Sequence, residues 1–404
     1  MGTVYLHIGM PKTGTSALQM FLAQNQQLLN QKGFSYPDMP FSFQNVGQRR
    51  NAHFLTLWEH KDDAKEWQQG FVIVREEFRS YDKVILSDEN IWSRQRLDDF
   101  WESVTEGFSQ IGADIRVIVY LRSQDDQVES NWNQKVKDKK TRMQISFEQF
   151  MEEERYYYMP FDYKSALDRI ASYVGKDNII VRVYEKQQFL GGNIFSDFLS
   201  AVGLELTDDY ELPEYAANVR LPNSAVEIKR LINSAYEGEE VPDFYREVIS
   251  RAFGMKTIQE APEHDTSMFS PVMREKFMSK YAAGNAAVAR EYVHHADGIL
   301  FQNNLTQKKQ WKMDDHEILM DMIRIFAAEG VYQYNRATRL KARLIKLEKQ
   351  TAAERDRDRK TIEALKERAD KTENEVKQMY NSAIFRWYRK LRDKRDKKED
   401  NNEQ

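Results

Sequence analysis

Residues 4 to 16, Val-Tyr-Leu-His-Ile-Gly-Met-Pro-Lys-Thr-Gly-Thr-Ser, constrain this chain more than any other stretch. They read as a buried strand, a tight turn and the start of a helix. After the turn, Leu18, Phe21, Leu22, Leu28 and Leu29 share one helical face, and Gly33 is placed to end the helix. A strand that feeds a helix through a Gly/Thr/Ser turn aims several backbone N–H groups and the positive helix end at one spot, where an anion belongs. The residue order is not that of the common nucleotide loop. There the lysine follows the second glycine; here Lys12 precedes Gly14, and no Gly-Lys-Ser/Thr occurs in the turn.

Strand and helix patterns then alternate. Short apolar, β-branched runs at 4–8, 84–87, 115–121 and 179–184 suit a parallel sheet covered on both faces, and helical patterns fall at 17–32, 95–110, 124–137 and 163–174. The expected fold class is α/β: a P-loop-like open parallel sheet flanked by helices, with ligands at the carboxyl ends of its strands. From about residue 192 the pattern is mainly helical, with helices expected at 194–202, 225–235, 242–253 and 271–292.

The order Pro11-Lys12-Thr13-Gly14-Thr15-Ser16 directly after a hydrophobic strand resembles the 5′-phosphosulfate loop of the sulfotransferases that use 3′-phosphoadenosine 5′-phosphosulfate (PAPS). A second block strengthens the resemblance: the run Ile115 to Leu121 ends in Arg122, and Ser130 follows inside Val128-Glu129-Ser130-Asn131-Trp132. In that family an arginine at a strand end and a serine on the next helix grip the 3′-phosphate of the cofactor. Arginine offers a planar fork of donors and serine a short hydroxyl, which suits phosphate oxygens. Residues 269 to 285, Tyr292, 298 to 301 and the Asn223-Ser224 helix also look like the C-terminal part of bacterial sulfotransferase domains. The resemblance covers roughly residues 1–302.

If it holds, Lys12 meets the bridging and leaving-group oxygen. The N–H groups of residues 13 to 16, with the Thr13, Thr15 and Ser16 hydroxyls, hold the 5′-phosphate. The family takes the acceptor proton with a histidine or a glutamate. Two residues answer to that: His53, with a near-neutral intrinsic pKa, and Glu89, after the strand Val84 to Asp88 at the ligand edge of the sheet. The sequence leaves the choice open. Sulfuryl transfer by positioning and electrostatics requires no metal ion.

Composition removes several classes. The net charge of −4, with opposite signs interspersed, gives no case for nucleic-acid binding. Zero cysteines exclude disulfides, thiolate metal sites and cysteine nucleophiles, and the seven histidines show no ligand spacing, so no metal is expected. No run reaches the ~20 apolar residues that span a bilayer, and no leader pattern precedes the first strand, so the expectation is a bacterial-style cytoplasmic protein.

The charge is concentrated after about residue 336. Residues 303–335 read as a helical linker. Across 336–393, Leu340, Leu344, Leu347 and Thr351 begin an a/d-like stripe that Ile362, Leu365, Ala369, Thr372, Val376, Met379 and Ala383 resume after a phase shift. That favours a long charged helix able to pair as a coiled coil and to make a homo-oligomer; a solvated single helix is the alternative. The aromatic and basic residues of 384–392 suit an anionic membrane surface at the inner face, a partner, or a packed helix, and 394–404 read as a disordered tail.

The resulting expectation is a PAPS-dependent sulfotransferase acting on a hydroxyl of a carbohydrate or cell-envelope glycan. Only the aromatic run Tyr156-Tyr157-Tyr158 in the sequence itself speaks for a sugar. The alternatives are a P-loop small-molecule kinase, against which the lysine order and the lack of a clear Walker B acid speak, and a non-catalytic coiled-coil scaffold with a degenerate nucleotide-binding domain.

Overall fold

The computed structural model describes residues 2–43, 47, 49–94, 96–138, 140–213, 222–235, 248–249, 251–252, 266–302, 308–348 and 359–378. Two compact units emerge. The first comprises Met1–Lys135, Ile145–Asn218 and His264–Trp311; the second comprises Val136–Gln144, Val219–Glu263 and Lys312–Gln404.

The first unit is built on a five-stranded, all-parallel sheet in the order β2-β3-β1-β4-β5. Its strands are β1 (Gly2–His7), β2 (Phe34–Ser35), β3 (Lys83–Ser87), β4 (Ala113–Leu121) and β5 (Ile179–Val183). Side chains alternate across the sheet, so β1 divides its residues between two cores. Val4 and Leu6 join a core with Phe71, Val104 and Leu167, which lie on helices α3 (Lys65–Glu77), α4 (Asp98–Gln110) and α7 (Tyr163–Val174). Tyr5 faces the opposite core, with Phe21 of α1 (Thr15–Gln24) and Phe198 of α8 (Ile194–Ala201). Burial on both faces is why the strands read as continuous apolar runs.

Where the sheet reverses direction decides where a ligand fits. After β1 the chain passes through α1 and α2 (Gln26–Gln31) to β2 and then β3 on one flank; α4 then crosses to β4 on the other flank of β1. The connections leaving the neighbours β1 and β4 therefore head apart, which opens a crevice outside their carboxyl ends. The Lys12 turn follows β1 and Arg122 follows β4.

Several expected elements end differently. The helix expected at 17–32 is two helices that meet at Asn25, whose buried amide donates to the carbonyls of Phe21 (2.8 Å) and Glu211 (2.9 Å). The helix expected at 271–292 breaks at Lys280-Tyr281 into α10 (Pro271–Ser279) and α11 (Ala282–Glu291). The helix expected from 95 begins at Asp98. Of 242–253, only 248–249 and 251–252 are described; residues 384–392 and 394–404 lie outside the described residues.

In the second unit, α9 (Asn223–Ala235) and α12 (Asp315–Glu348) are joined by a hydrogen bond from the buried Ser224 hydroxyl to Asp321. Asn233, fully buried, donates to the carbonyls of Val136 (2.9 Å) and Met143 (3.0 Å). The α12 helix is continuous across residue 335, where the sequence suggested a change from linker to long helix. In the helix at 359–378, the anticipated seam residues Ile362, Leu365, Ala369, Thr372 and Val376 are its buried or half-buried positions within the single chain. Among the described residues no helix is long and apolar enough to cross a membrane.

Candidate functional site

The turn between β1 and α1 is shaped by left-handed residues. Gly9, Lys12 and Gly14 have φ of 41°, 71° and 74°. Lysine in this region is strained, and strain of this kind survives only where surrounding contacts hold it. Those contacts are visible. Thr13, fully buried, donates its hydroxyl to the Met10 carbonyl at 2.6 Å, Gln127 donates to the Pro11 carbonyl at 2.8 Å, and Arg122 Nη1 donates to the Lys12 carbonyl at 3.1 Å.

Gly14 is the N-cap of α1, and no side chain caps this end. The first N–H groups of a helix have no partner within it, so this terminus presents donors and a positive dipole. Thr15 adds a buried hydroxyl with no hydrogen-bond partner, lying 3.1 Å from where a Cβ on Gly9 would sit. Lys12 and Ser16 are exposed. The Thr13 hydroxyl, expected on the phosphate, instead donates its proton within the turn to the Met10 carbonyl.

Arg122 sits at the end of β4 with its guanidinium 6.0 Å from the centre of the Tyr184 ring, and its carbonyl accepts from the Tyr163 hydroxyl at 2.7 Å. Ser130 lies half-buried in the second turn of α5 (Gln124–Lys137), which begins two residues beyond Arg122. The two anticipated phosphate-binding blocks thus share one edge of the sheet, and the Arg122–Lys12 hydrogen bond joins them.

The third part of the site is built at the end of β3. Asn51, buried, accepts from the Ser87 N–H at 2.8 Å and donates to the Ile85 carbonyl at 3.0 Å, which fastens the irregular 49–53 segment onto the strand. Arg50 and His53 are thereby brought to Asp88, a fully buried carboxylate. Arg50 grips it with two bonds of 2.9 and 2.7 Å, and His53 Nδ1 lies 2.9 Å from its Oδ2. Burial opposes the Asp88 charge, but the hydrogen bonds from His53 and Arg50 and the charge of Arg50 outweigh it, so the carboxyl is held below its usual range.

Glu89 is next in the chain, with Oε1 3.9 Å from Arg50 Nη1. The segment from 88 to 92 is stitched to the turn by the Asp88 N–H on the His7 carbonyl and the Trp92 N–H on the Ile8 carbonyl, both 3.1 Å. A Cβ on Gly9 would stand 3.1 Å from the Glu89 Cα, so the glycine permits this close approach. Glu89 therefore borders the β1–α1 turn, and His53 is linked to it through Asp88, whose N–H is bonded to the His7 carbonyl. Arg50 and Asp88 carried no assigned part in the sequence. Only the placement of Ser87-Asp88 at a strand's carboxyl end could have singled Asp88 out.

Beneath the turn, His7 is fully buried, with Nδ1 2.9 Å from Ser87 Oγ, and burial pushes its pKa down to about 4 against the pull of Asp88. Among the described residues no group of three or more histidine, aspartate or glutamate side chains has the arrangement of a metal site. Of the tyrosine run, Tyr156 is buried, Tyr157 is 82% exposed and Tyr158 donates its hydroxyl to Asn131 Oδ1 at 2.8 Å.

Fold and site together define a parallel α/β protein with a donor-rich, uncapped helix terminus at the switch point of its sheet and a carboxylate-held histidine beside it. Among curated proteins, an uncharacterized protein of Archaeoglobus fulgidus is 28% identical over 183 residues, a match spanning 44% of this chain and 45% of that protein. No family model matches the chain, and no solved structure matches it significantly.

Proposed function

We propose that this chain is a sulfotransferase that moves a sulfuryl group from PAPS to a hydroxyl of a carbohydrate or cell-envelope glycan. The observation that carries the reading is the hydrogen bond from Arg122 to the Lys12 carbonyl. It joins, across 110 residues of sequence, the two blocks that the resemblance assigns to opposite ends of one nucleotide.

The residues present suit a doubly phosphorylated adenosine. The turn offers donors and no acid: the α1 N–H groups, the Thr15 hydroxyl without a partner, the Ser16 hydroxyl and the Lys12 ammonium face one anionic end. The Arg122 fork and the Ser130 hydroxyl face the other. PAPS supplies the activated sulfuryl group. Lys12 stabilises charge as it gathers on the departing phosphate oxygen. His53 takes the acceptor's proton through Nε2, because Asp88 holds Nδ1 and so fixes the ring. Glu89, beside Arg50, borders the acceptor side. The exposed ring of Tyr157 gives a sugar a face to stack on.

Calorimetric titration with adenosine 3′,5′-bisphosphate, adenosine 5′-phosphate and ATP tests this reading. The bisphosphate binds tightest, and Ser130→Ala weakens it by about 10-fold or more, as loss of a hydrogen bond to a charged group does. The same variant leaves adenosine 5′-phosphate nearly unaffected. Tighter binding of ATP would turn the assignment toward a kinase, and equal losses for both adenosine ligands would remove Ser130 from the site.

A further inference from the structure

The long helix α12 carries an apolar stripe that is exposed among the described residues. Met320, Ile323 and Ala327 are exposed, and the same spacing returns eleven residues later at Val331, Tyr334 and Thr338, then at Ala342 and Ile345. Steps of three, four and four residues advance close to the α-helical repeat, so a nearly straight helix keeps these side chains on one face. Val331 and Tyr334, at the centre, are 62% and 73% exposed. This stripe is separate from the face that α12 buries, which carries Ile318, Asp321, Ile325 and Glu329. It is also separate from the heptad seam at 359–378, which is already covered within the chain.

Two properties say what covers it. The stripe has mirror symmetry about the midpoint between Tyr332 and Gln333. A second α12 laid antiparallel therefore sets Met320 against Ile345, Ile323 against Ala342, Ala327 against Thr338 and Val331 against Tyr334, and the reciprocal contacts follow. The charges agree with that direction. Asp314, Asp315 and Glu317 crowd one end of the helix, while Arg339, Lys341, Arg343 and Lys346 crowd the other. Parallel pairing stacks like charges at both ends; antiparallel pairing sets acid beside base.

From this we infer that α12 is the docking surface for a second copy of this chain, paired antiparallel about a two-fold axis that passes near Val331 and Tyr334. Each partner contributes one apolar stripe, and the axis brings the most exposed residues together where an isologous contact is best desolvated. The seam at 359–378 takes no part.

Sedimentation equilibrium of the full chain at micromolar concentration tests the pairing. The expected mass is twice 47.8 kDa. Val331→Glu places two like charges at the axis and returns the mass to that of one chain, with the far-ultraviolet helical signal unchanged. Orientation is tested by disulfide trapping, which the absence of native cysteine makes clean. Met320→Cys and Ile345→Cys proteins, mixed under reducing conditions and then oxidised, give a mixed cross-linked dimer. Ile345→Cys alone does not cross-link, since the antiparallel arrangement holds its two copies about 37 Å apart at 1.5 Å per residue. A monomer in the wild-type protein, a dimer indifferent to Val331→Glu, or self-cross-linking of Ile345→Cys would each overturn the inference.

Discussion

Lys12 combines a left-handed backbone with an exposed ammonium group, and the residues that hold it there belong to two other parts of the chain. In the proposed reaction its charge acts chiefly in the transition state. Lys12→Ala is therefore expected to lower turnover at saturating donor by about 100-fold, a loss of about 3 kcal/mol, with little change in melting temperature. Turnover within about threefold of wild type would remove Lys12 from that role. His7 behaves differently, because it is enclosed. Its folded pKa of about 4 lies below the ordinary 6.5, so between these values the unfolded chain takes up a proton that the folded chain refuses. Stability from this group is full above pH 6.5 and falls as pH drops to about 4, by about 3 kcal/mol. Urea unfolding across that range measures the slope, and a His7→Gln protein retaining the full slope would assign it elsewhere. At this scale residue order placed Lys12 in a turn after β1 and Arg122 at the end of β4, and the structure has both there. The sequence was silent on Arg50 and Asp88, which meet across 38 residues through an irregular segment with no period to read.

Among the elements, α5 and α7 occupy the expected spans, 124–137 and 163–174; α7 buries one stripe, Tyr163, Ala166, Leu167 and Ile170, whereas α5 is enclosed nearly all round and exposes only Gln134. The strand β2 escaped notice since two residues, Phe34 and Ser35, cannot display an alternation. The split at Asn25 escaped for another reason: the apolar face continues through it, and only the amide's bond to the distant Glu211 carbonyl marks the break. The β1–α1 connection depends on Gly14. Its φ of 74° is unfavourable for a side chain, and a Cβ there would stand 2.7 Å from Ile194 Cδ1. Gly14→Ala is expected to destabilise the protein by about 1–3 kcal/mol and to weaken adenosine 3′,5′-bisphosphate binding as the turn shifts. Denaturant unfolding together with calorimetry checks this; unchanged stability and affinity would show that the turn tolerates a right-handed residue.

For the molecule as a whole, the alternation of strands and helices anticipated the parallel α/β unit, since each period is a local property. Assembly of the second unit from Val136–Gln144, Val219–Glu263 and Lys312–Gln404 was not legible, because no composition shift marks the return of 136–144 to a later part of the chain. The continuous α12 likewise shows that a chain cut at residue 335 would end inside a helix. The Arg122–Lys12 bond has a final consequence for how substitutions are interpreted. Under the proposed function, a guanidinium that both props the lysine turn and binds the nucleotide's far phosphate makes the two positions energetically non-additive. The Arg122→Ala deficit therefore includes loosening of the turn, and only a double-mutant cycle with Lys12 separates that share from the lost phosphate contact.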